Sequence, residues 1–268
     1  MKFGAIIIGD EILSGKRADK HLAKIIELLG ARGIPLAYAH YVGDDPQRIT
    51  ATLRDAFASG DTVFSFGGIG ATPDDHTRQC AASASGKALV LSDAARDLIQ
   101  ERILDVAREQ GLPYEPERAD NVHRLQMGMF PEGSALIPNP YNKIPGFSYP
   151  GVGQGRVHFV PGFPVMAWPM VEWVLDSQCA QWFQQDVWRE QSVIVFGAME
   201  SMLTPLMEQL ERSHPVKVFS LPSVDHPQYG RHIELGVKGD PAVLAAAYAD
   251  LMVGLKALDM SLGPELVR

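Results

Sequence analysis

"FSFGGIGATPDDHTRQ", residues 64–79, joins a short apolar run to three glycines and then to two adjacent aspartates. The run reads as the end of a buried strand, and Gly67, Gly68 and Gly70 as a loop that lets backbone approach a ligand closely. Backbone amides between a strand end and a helix start make a favourable anion site. Asp74 and Asp75 stand in the same place, so the stretch asks for a phosphate and two carboxylates together. Two readings are open. In one, Thr72 is a helix N-cap, Pro73 the first helical residue and Asp75 the closing member of a near capping box, with the glycines a tight connection only. In the other, a divalent cation lies between carboxylate and phosphate, as Mg²⁺ does when one or two carboxylates and substrate oxygens share it. The second reading accounts for both aspartates, which otherwise compete with a phosphate for the helix N-terminus. It makes Asp74 and Asp75 candidate metal ligands and catalytic groups.

Outward from this loop, strands alternate with amphipathic helices. Residues 3–8 read as a buried strand, and 19–32 as a helix with Leu22, Ile25, Ile26 and Leu29 on one face. "IPLAYAHYV" is a strand. "DDPQRITATLRDAFASG" is a helix with Asp45 as N-cap, Pro46 at the first position and Gly60 as its stop. "DTVFSF" is the strand that enters the glycine loop, and a further helix covers 92–110. The proline- and glycine-rich "PNPYNKIPGFSYPGVGQGR" is loop with short strands, "VHFV" a strand, and a long apolar helix starts at Pro164. This alternation indicates a mostly parallel α/β sheet covered on both faces, whose ligands sit beyond the carboxyl ends of the strands. Gly67 to Thr77 and Gly9 to Gly15 both fall at such ends. After the long helix the pattern changes to strand, helix, two strands and helix. The expected organisation is an α/β domain over 1–188 and a small α+β domain over 189–268.

The 268 residues are 46% hydrophobic and 21% charged, as in an ordinary globular protein. A net charge of −8 argues against nucleic-acid binding through phosphates. Cys80 and Cys179 form no CxxC pair, and the apolar run of "MKFGAIIIGDEIL" is too short for a secretory core or a membrane span. A cytoplasmic protein without membrane contact is expected. "GDEILSGKR" looks like a phosphate loop but places its second glycine one position late and has Arg17 where Ser or Thr is required, which argues against a nucleoside triphosphatase. Asp10 and Glu11 in that segment are placed to meet a ligand hydroxyl, ring N–H or cation, or form a solvated turn. Lys143 is a candidate cation for a second anionic group. The eight histidines show no HExxH-like spacing. Trp168, Trp173, Trp182 and Trp188 make the long helix and its sequel aromatic-rich, as an oligomer contact or as packing against the sheet.

Together these stretches resemble the competence/damage-inducible protein A group of the molybdopterin-binding-domain superfamily, over most of the chain. Gly9-Asp10-Glu11-Ile12-Leu13 followed by Gly15 is similar to the group's GDELLxG opening, and "GGIGATPDDHT" to its GGLGPTxDDxT signature. Asn121, "PNPYNKIPGF" and "PGFP" follow in the group's order, and "FGAMESML" and "VKVFSLPS" resemble its following small domain. The resemblance implies a three-layer α/β/α fold with an appended α+β domain and a homo-oligomer. It implies a site for a phosphorylated pterin, molybdopterin among them, or for a nucleotide. It also implies Mg²⁺-, Mn²⁺- or Co²⁺-dependent hydrolysis of ADP-ribose-type pyrophosphates, or else a non-catalytic module that binds molybdopterin during cofactor synthesis or delivery. By position, Asp10 and Glu11 line the pocket, and Gly67, Gly68, Gly70, Thr72 and Thr77 cradle phosphate. Asn139, Lys143, Gly146, Pro161 and Gly162 contribute from the later loops, and Asp74 and Asp75 hold metal or assist the chemistry. Ala71 stands where the group usually has proline, and Met166 where many members have glutamate after the PGxP turn. The deamidase domain that many relatives carry is not expected, nor is nicotinamide mononucleotide deamidation.

Overall fold

The computed structural model describes residues 1–183 and 189–267. Contacts divide the chain into compact units of residues 1–183 and 184–268. The expected boundary after residue 188, and Trp188 itself, lie outside the described residues.

In the first unit β1 (Phe3–Ile8), α1 (Asp10–Leu13), α2 (His21–Gly30), β2 (Leu36–Val42), α3 (Pro46–Ser59) and β3 (Thr62–Phe66) follow in order. The start of α3 is set as its sequence requires: the Asp45 carboxylate accepts from the Arg48 amide at 2.8 Å, Pro46 opens the helix, and Gly60 closes it in the left-handed region. Then come α4 (Thr77–Ser85), β4 (Leu89–Leu91), α5 (Asp93–Gln110), α6 (Ala119–Arg124), β5 (Met129–Pro131), β6 (Ala135–Ile137), β7 (Gly146–Pro150), β8 (Arg156–Val160) and α7 (Pro164–Gln178). The main sheet runs β2-β1-β3-β8-β7-β6. Pairing is parallel from β2 through β8, and antiparallel at β7 and β6.

Strand periodicity divides the core into two layers. Phe3, Ala5, Ile7, Phe64 and Phe66 face Ile25, Leu28 and Leu29 of α2 and Met170, Val171 and Val174 of α7. Ile6, Ile8, Val63, Val157 and Phe159 face Ile49 and Leu53 of α3, Ala81 of α4 and Ala95 of α5. Each such fully buried aliphatic or aromatic side chain contributes roughly 1.5–3 kcal/mol, which holds helices on both faces of the sheet. The result is a three-layer α/β/α unit. Trp168 and Trp182 pack against the first of these layers, whereas Trp173 is exposed. Both cysteines are buried free thiols.

Register positions the site. Ile8 pairs with Val42, Ile7 with Phe66, and Phe66 with Val160, so all four parallel strands end at one edge. The segments that leave them, at Gly9, Gly43, Gly67 and Pro161, converge there.

The second unit is α+β. It contains β9 (Arg189–Phe196), α8 (Glu200–Ser213), β10 (Lys217–His226), β11 (Gly230–Gly239), α9 (Pro241–Ala257) and β12 (Ser261–Val267). Its sheet is antiparallel in the order β10-β11-β9-β12, and α8 and α9 bury Leu203, Leu206, Leu210, Leu244 and Leu251 against it.

Three local expectations need correction. Ile26 is exposed, because α2 turns Leu28 inward with Ile25 and Leu29. Asp10–Leu13 is a short helix rather than loop, since the Ser14 amide reaches the Asp10 carbonyl at 2.8 Å. β12 has no counterpart in the sequence reading: Gly263 and Pro264 interrupt the alternating pattern, and the strand is irregular there, with a register shift between Leu262 and Glu265. No helix among the described residues is long and apolar enough to cross a membrane.

Candidate functional site

The glycine loop owes its path to contacts that a side chain would block. Gly67 has φ +98°, and a Cβ there would lie 2.5 Å from the Ile8 carbonyl oxygen. Gly68 has φ +69°, and a Cβ would collide with the Thr77 hydroxyl. That hydroxyl donates to the Gly67 carbonyl at 3.0 Å, and the Thr77 amide to the Gly68 carbonyl at 3.0 Å. The buried Arg78 donates through Nη2 to the Gly70 carbonyl, and His123 of α6 donates through Nε2 to the Ala71 carbonyl at 2.8 Å. The loop is therefore bolted from α4 and α6.

Thr72 is not a helix N-cap as the sequence suggests. Residues 72–75 form a closed turn, and α4 begins at Thr77 with His76 before it. Within the turn the Asp75 amide donates to the Thr72 carbonyl at 3.0 Å, while the Asp75 carboxylate accepts the Thr72 amide at 2.9 Å and hydroxyl at 2.5 Å. Asp75 thus closes the turn through Oδ2 while it also lines the cleft. Asp74 projects into solvent, and the neighbouring Thr72 hydroxyl holds its carboxyl below the usual carboxylate range, helped by its own backbone amide and by His76.

A cleft of about 450 Å³ opens over this loop at the sheet edge. Of the residues expected in it, Glu11, Gly67, Gly68, Gly70, Thr72, Asp74, Asp75, Asn139, Pro161 and Gly162 line it. Asp10, Thr77, Lys143 and Gly146 are not among its lining residues. The Asp10 amide donates to Asp44 Oδ2 at 2.9 Å and its Oδ1 accepts the Asp44 amide at 3.2 Å, so Asp44 lines the cleft and Asp10 braces it. Thr77 is buried as a brace. Lys143 is turned to the other side of its loop, pairing with Glu101 at 2.6 Å and Asp105 at 2.5 Å. Gly146 lies in β7, where a Cβ would strike the Phe159 carbonyl, so it serves strand packing. Asn139 lines the cleft and also ties its loop, donating to Asn142 Oδ1 at 2.8 Å and to the Ile144 carbonyl at 3.0 Å.

Several cleft residues were missed by sequence reasoning. Asp44 follows β2 as Asp10 follows β1, a parallel that the strand ends alone could have shown. Burial and the charges of Asp10, Glu11 and Asp74 raise its carboxyl above the ordinary range, against the bond from the Asp10 amide. Arg17, Asn142, Phe163 and Met127 also line the cleft. Arg78 lies beneath it: burial pushes its guanidinium down to about 10, against the attraction of Asp75, and its Nε has no partner among the described residues. A charged residue on the inward face of α4 carried no sequence signal of its own.

The donor chemistry fits a shared cation better than a closed cage. Glu11, Asp44, Asp74 and Asp75 line one cleft, yet among the described residues no three His, Cys, Asp or Glu converge as a metal-binding group. An ion there would be completed by ligand oxygens, as Mg²⁺ at phosphate sites commonly is. Ala71 and Met166, the two departures from the group pattern, both stand in the cleft wall.

A three-layer α/β/α unit with a glycine loop at the carboxyl edge of its parallel strands defines a ligand-binding domain of the open-sheet class. The chain belongs to the family described as "Probable molybdopterin binding domain", whose model matches residues 4–181. A CinA-like protein of Geobacter metallireducens is 32% identical over 216 residues, covering 80% of this chain and 50% of that protein. A protein of Pyrobaculum calidifontis is 29% identical over 232 residues, covering 85% and 84%. The chain spans about half the length of the CinA-like relatives it matches. The crystal structure of the protein CinA from Thermoplasma acidophilum, of unknown function, aligns with a TM-score of 0.54 at 27% identity, over 66% of this chain and 98% of that one.

Proposed function

We propose that the cleft binds a phosphorylated pterin or nucleotide and, with a divalent cation, hydrolyses a pyrophosphate of the ADP-ribose type. The observation that carries this reading is the bolted glycine loop opening into the same cleft as the exposed Asp74 carboxylate. Backbone amides held in one conformation stabilise charge that develops on a phosphoryl oxygen without reorganising. Asp74, with Asp75 or Asp44 beside it, is the group that would hold the cation. A bound Mg²⁺, Mn²⁺ or Co²⁺ supplies neutralisation of the pyrophosphate charge. The buried Arg78 adds positive potential from beneath the loop, and Arg17 from the rim. Attack of water on one phosphorus breaks the P–O–P bridge of ADP-ribose and leaves AMP and ribose 5-phosphate.

A second reading is a non-catalytic site for molybdopterin in cofactor synthesis or delivery. Met127, Ile144, Phe163 and Met166 favour it, because they give the cleft an apolar wall suited to a flat ring. Calorimetric titration with ADP-ribose, with and without Mg²⁺, tests the leading reading. Binding that strengthens with Mg²⁺, and loses that dependence in Asp74→Ala, supports it; metal-independent binding favours the second reading, and no binding contradicts the first.

A further inference from the structure

Beside the cleft lies a smaller cavity of about 270 Å³. The two share Ile8, Glu11, Arg17, Gly162 and Phe163, so they are adjoining chambers with a common wall. The rest of the smaller chamber is largely apolar, with Ile7, Ile12, Phe66 and Pro164 in its walls. His21 completes it. The residue is 5% exposed, and its ring stacks on Phe66 at 4.5 Å with 24° between the planes.

The protonation of His21 follows from its partner. Nε2 lies 3.0 Å from the Gly162 carbonyl, which only accepts, so Nε2 carries the proton. Burial holds the imidazole below its ordinary pKa and therefore neutral, more than the Gly162 bond and Asp19 oppose it. Nδ1 is then an acceptor, and it has no hydrogen-bond partner among the described residues. A buried acceptor without a donor is unfavourable, so it calls for an explanation. Arg17 stands in the common wall, 5.8 Å over the Phe163 ring and 3.8 Å from Glu11. Neither contact is a close ion pair, and the guanidinium is exposed enough to meet an anion passing between the chambers.

We propose that the smaller cavity is a second subsite of the same ligand, taking its flat nitrogen heterocycle while the phosphate arm lies on the glycine loop and Arg17 meets the anion at the junction. This rests on the phosphate-binding reading of the cleft. Apolar walls beside the neutral His21 ring and the Glu11 carboxylate, with Arg17 and Lys20 also in the lining, suit a flat ring that carries an amino or N–H donor. A purine and a pterin both present one; bare pyrophosphate presents none and gains nothing from the chamber.

Ala18 is exposed and lines the smaller cavity but not the cleft. Ala18→Trp therefore fills the chamber from its rim. Wild-type and Ala18→Trp proteins are titrated calorimetrically, with Mg²⁺ present, with inorganic pyrophosphate, ADP-ribose and neopterin triphosphate. The expected result is unchanged pyrophosphate affinity and at least tenfold weaker binding of a heterocycle-bearing ligand; the ligand that weakens identifies purine or pterin as the occupant. His21→Phe keeps the stack on Phe66 but lacks the Nδ1 acceptor and the Nε2 bond to Gly162, and shows the same selective loss, with pyrophosphate affinity kept, even if Ala18→Trp fails to fold. Folded variants that bind all three probes as the wild type does, or lose them equally, overturn the subsite while leaving the glycine-loop reading intact. A wild-type protein that binds none of the three overturns both.

Discussion

The Asp75 carboxylate accepts two hydrogen bonds from Thr72, one from the backbone amide at 2.9 Å and one from the hydroxyl at 2.5 Å. Its neighbour Asp74 is exposed at the cleft, with the Thr72 hydroxyl close enough to lower its carboxyl. The adjacent aspartates therefore differ: Asp75 closes the turn, and Asp74 is the carboxylate that the proposed function assigns to the cation. Asp75→Ala is expected to destabilise the protein by about 1–2 kcal/mol, the net worth of two partly exposed hydrogen bonds, and to weaken ligand binding with it. Asp74→Ala is expected to leave the denaturation midpoint unchanged and to abolish metal-dependent turnover. Urea denaturation and turnover on the two variants separate these effects; equal destabilisation by both contradicts the division.

Arg78 adds positive charge beneath a cleft whose lining carries four carboxylates and one cation, Arg17. Its guanidinium is buried under the loop and bonded to the Gly70 carbonyl. Arg78→Met is expected to weaken pyrophosphate binding at least tenfold, because both the field and the loop anchor go. Arg78→Lys keeps the charge but not the planar fork, and is expected to recover only part of the affinity. Full recovery by lysine, measured by the same titration, would leave only the charge as the cause.

Acid sensitivity is expected from His158, which does not line the cleft. Its ring is buried in β8, 2.7 Å from the Ser148 hydroxyl and stacked on Phe64 at 5.1 Å. Burial, with Arg156 nearby, pushes its pKa from 6.5 down to about 3. Between those values the unfolded chain binds the proton and the folded chain does not, so stability is full above pH 6.5 and falls as pH drops towards 3. By pH 5 this costs about 2 kcal/mol at 1.36 kcal/mol per unit. Denaturant titrations at pH 7 and pH 5 should show that loss in the wild type and a smaller one in His158→Gln; identical pH dependence excludes this source.

Much of the fold was legible because strand and helix periods were undisturbed. Ile6 and Ile8 alternate with Ala5 and Ile7 in opposite core layers, and Asp45, Pro46 and Gly60 punctuate α3 as their chemistry dictates. Legibility failed where contacts distant in sequence decide the outcome. Thr72 has the residue type of an N-cap, yet the Asp75 carboxylate closes a turn before the helix can begin. Lys143 looked free in its loop until α5 brought Glu101 and Asp105 to it. Asp44 reaches the cleft because β2 ends beside β1, where its carboxylate accepts the Asp10 amide. The strand ends and the glycine loop pointed to the candidate cleft; which side chains line it was a property of the assembled sheet.

The most direct test of the central claim is ³¹P NMR of ADP-ribose incubated with the protein and Mg²⁺, Mn²⁺ or Co²⁺, and again with chelator. The account predicts that the pyrophosphate resonances give way to two phosphomonoester signals, AMP and ribose 5-phosphate, with metal only and not with Asp74→Ala. Pyrophosphate resonances that persist under every metal condition, with the protein folded, would contradict hydrolysis at this cleft.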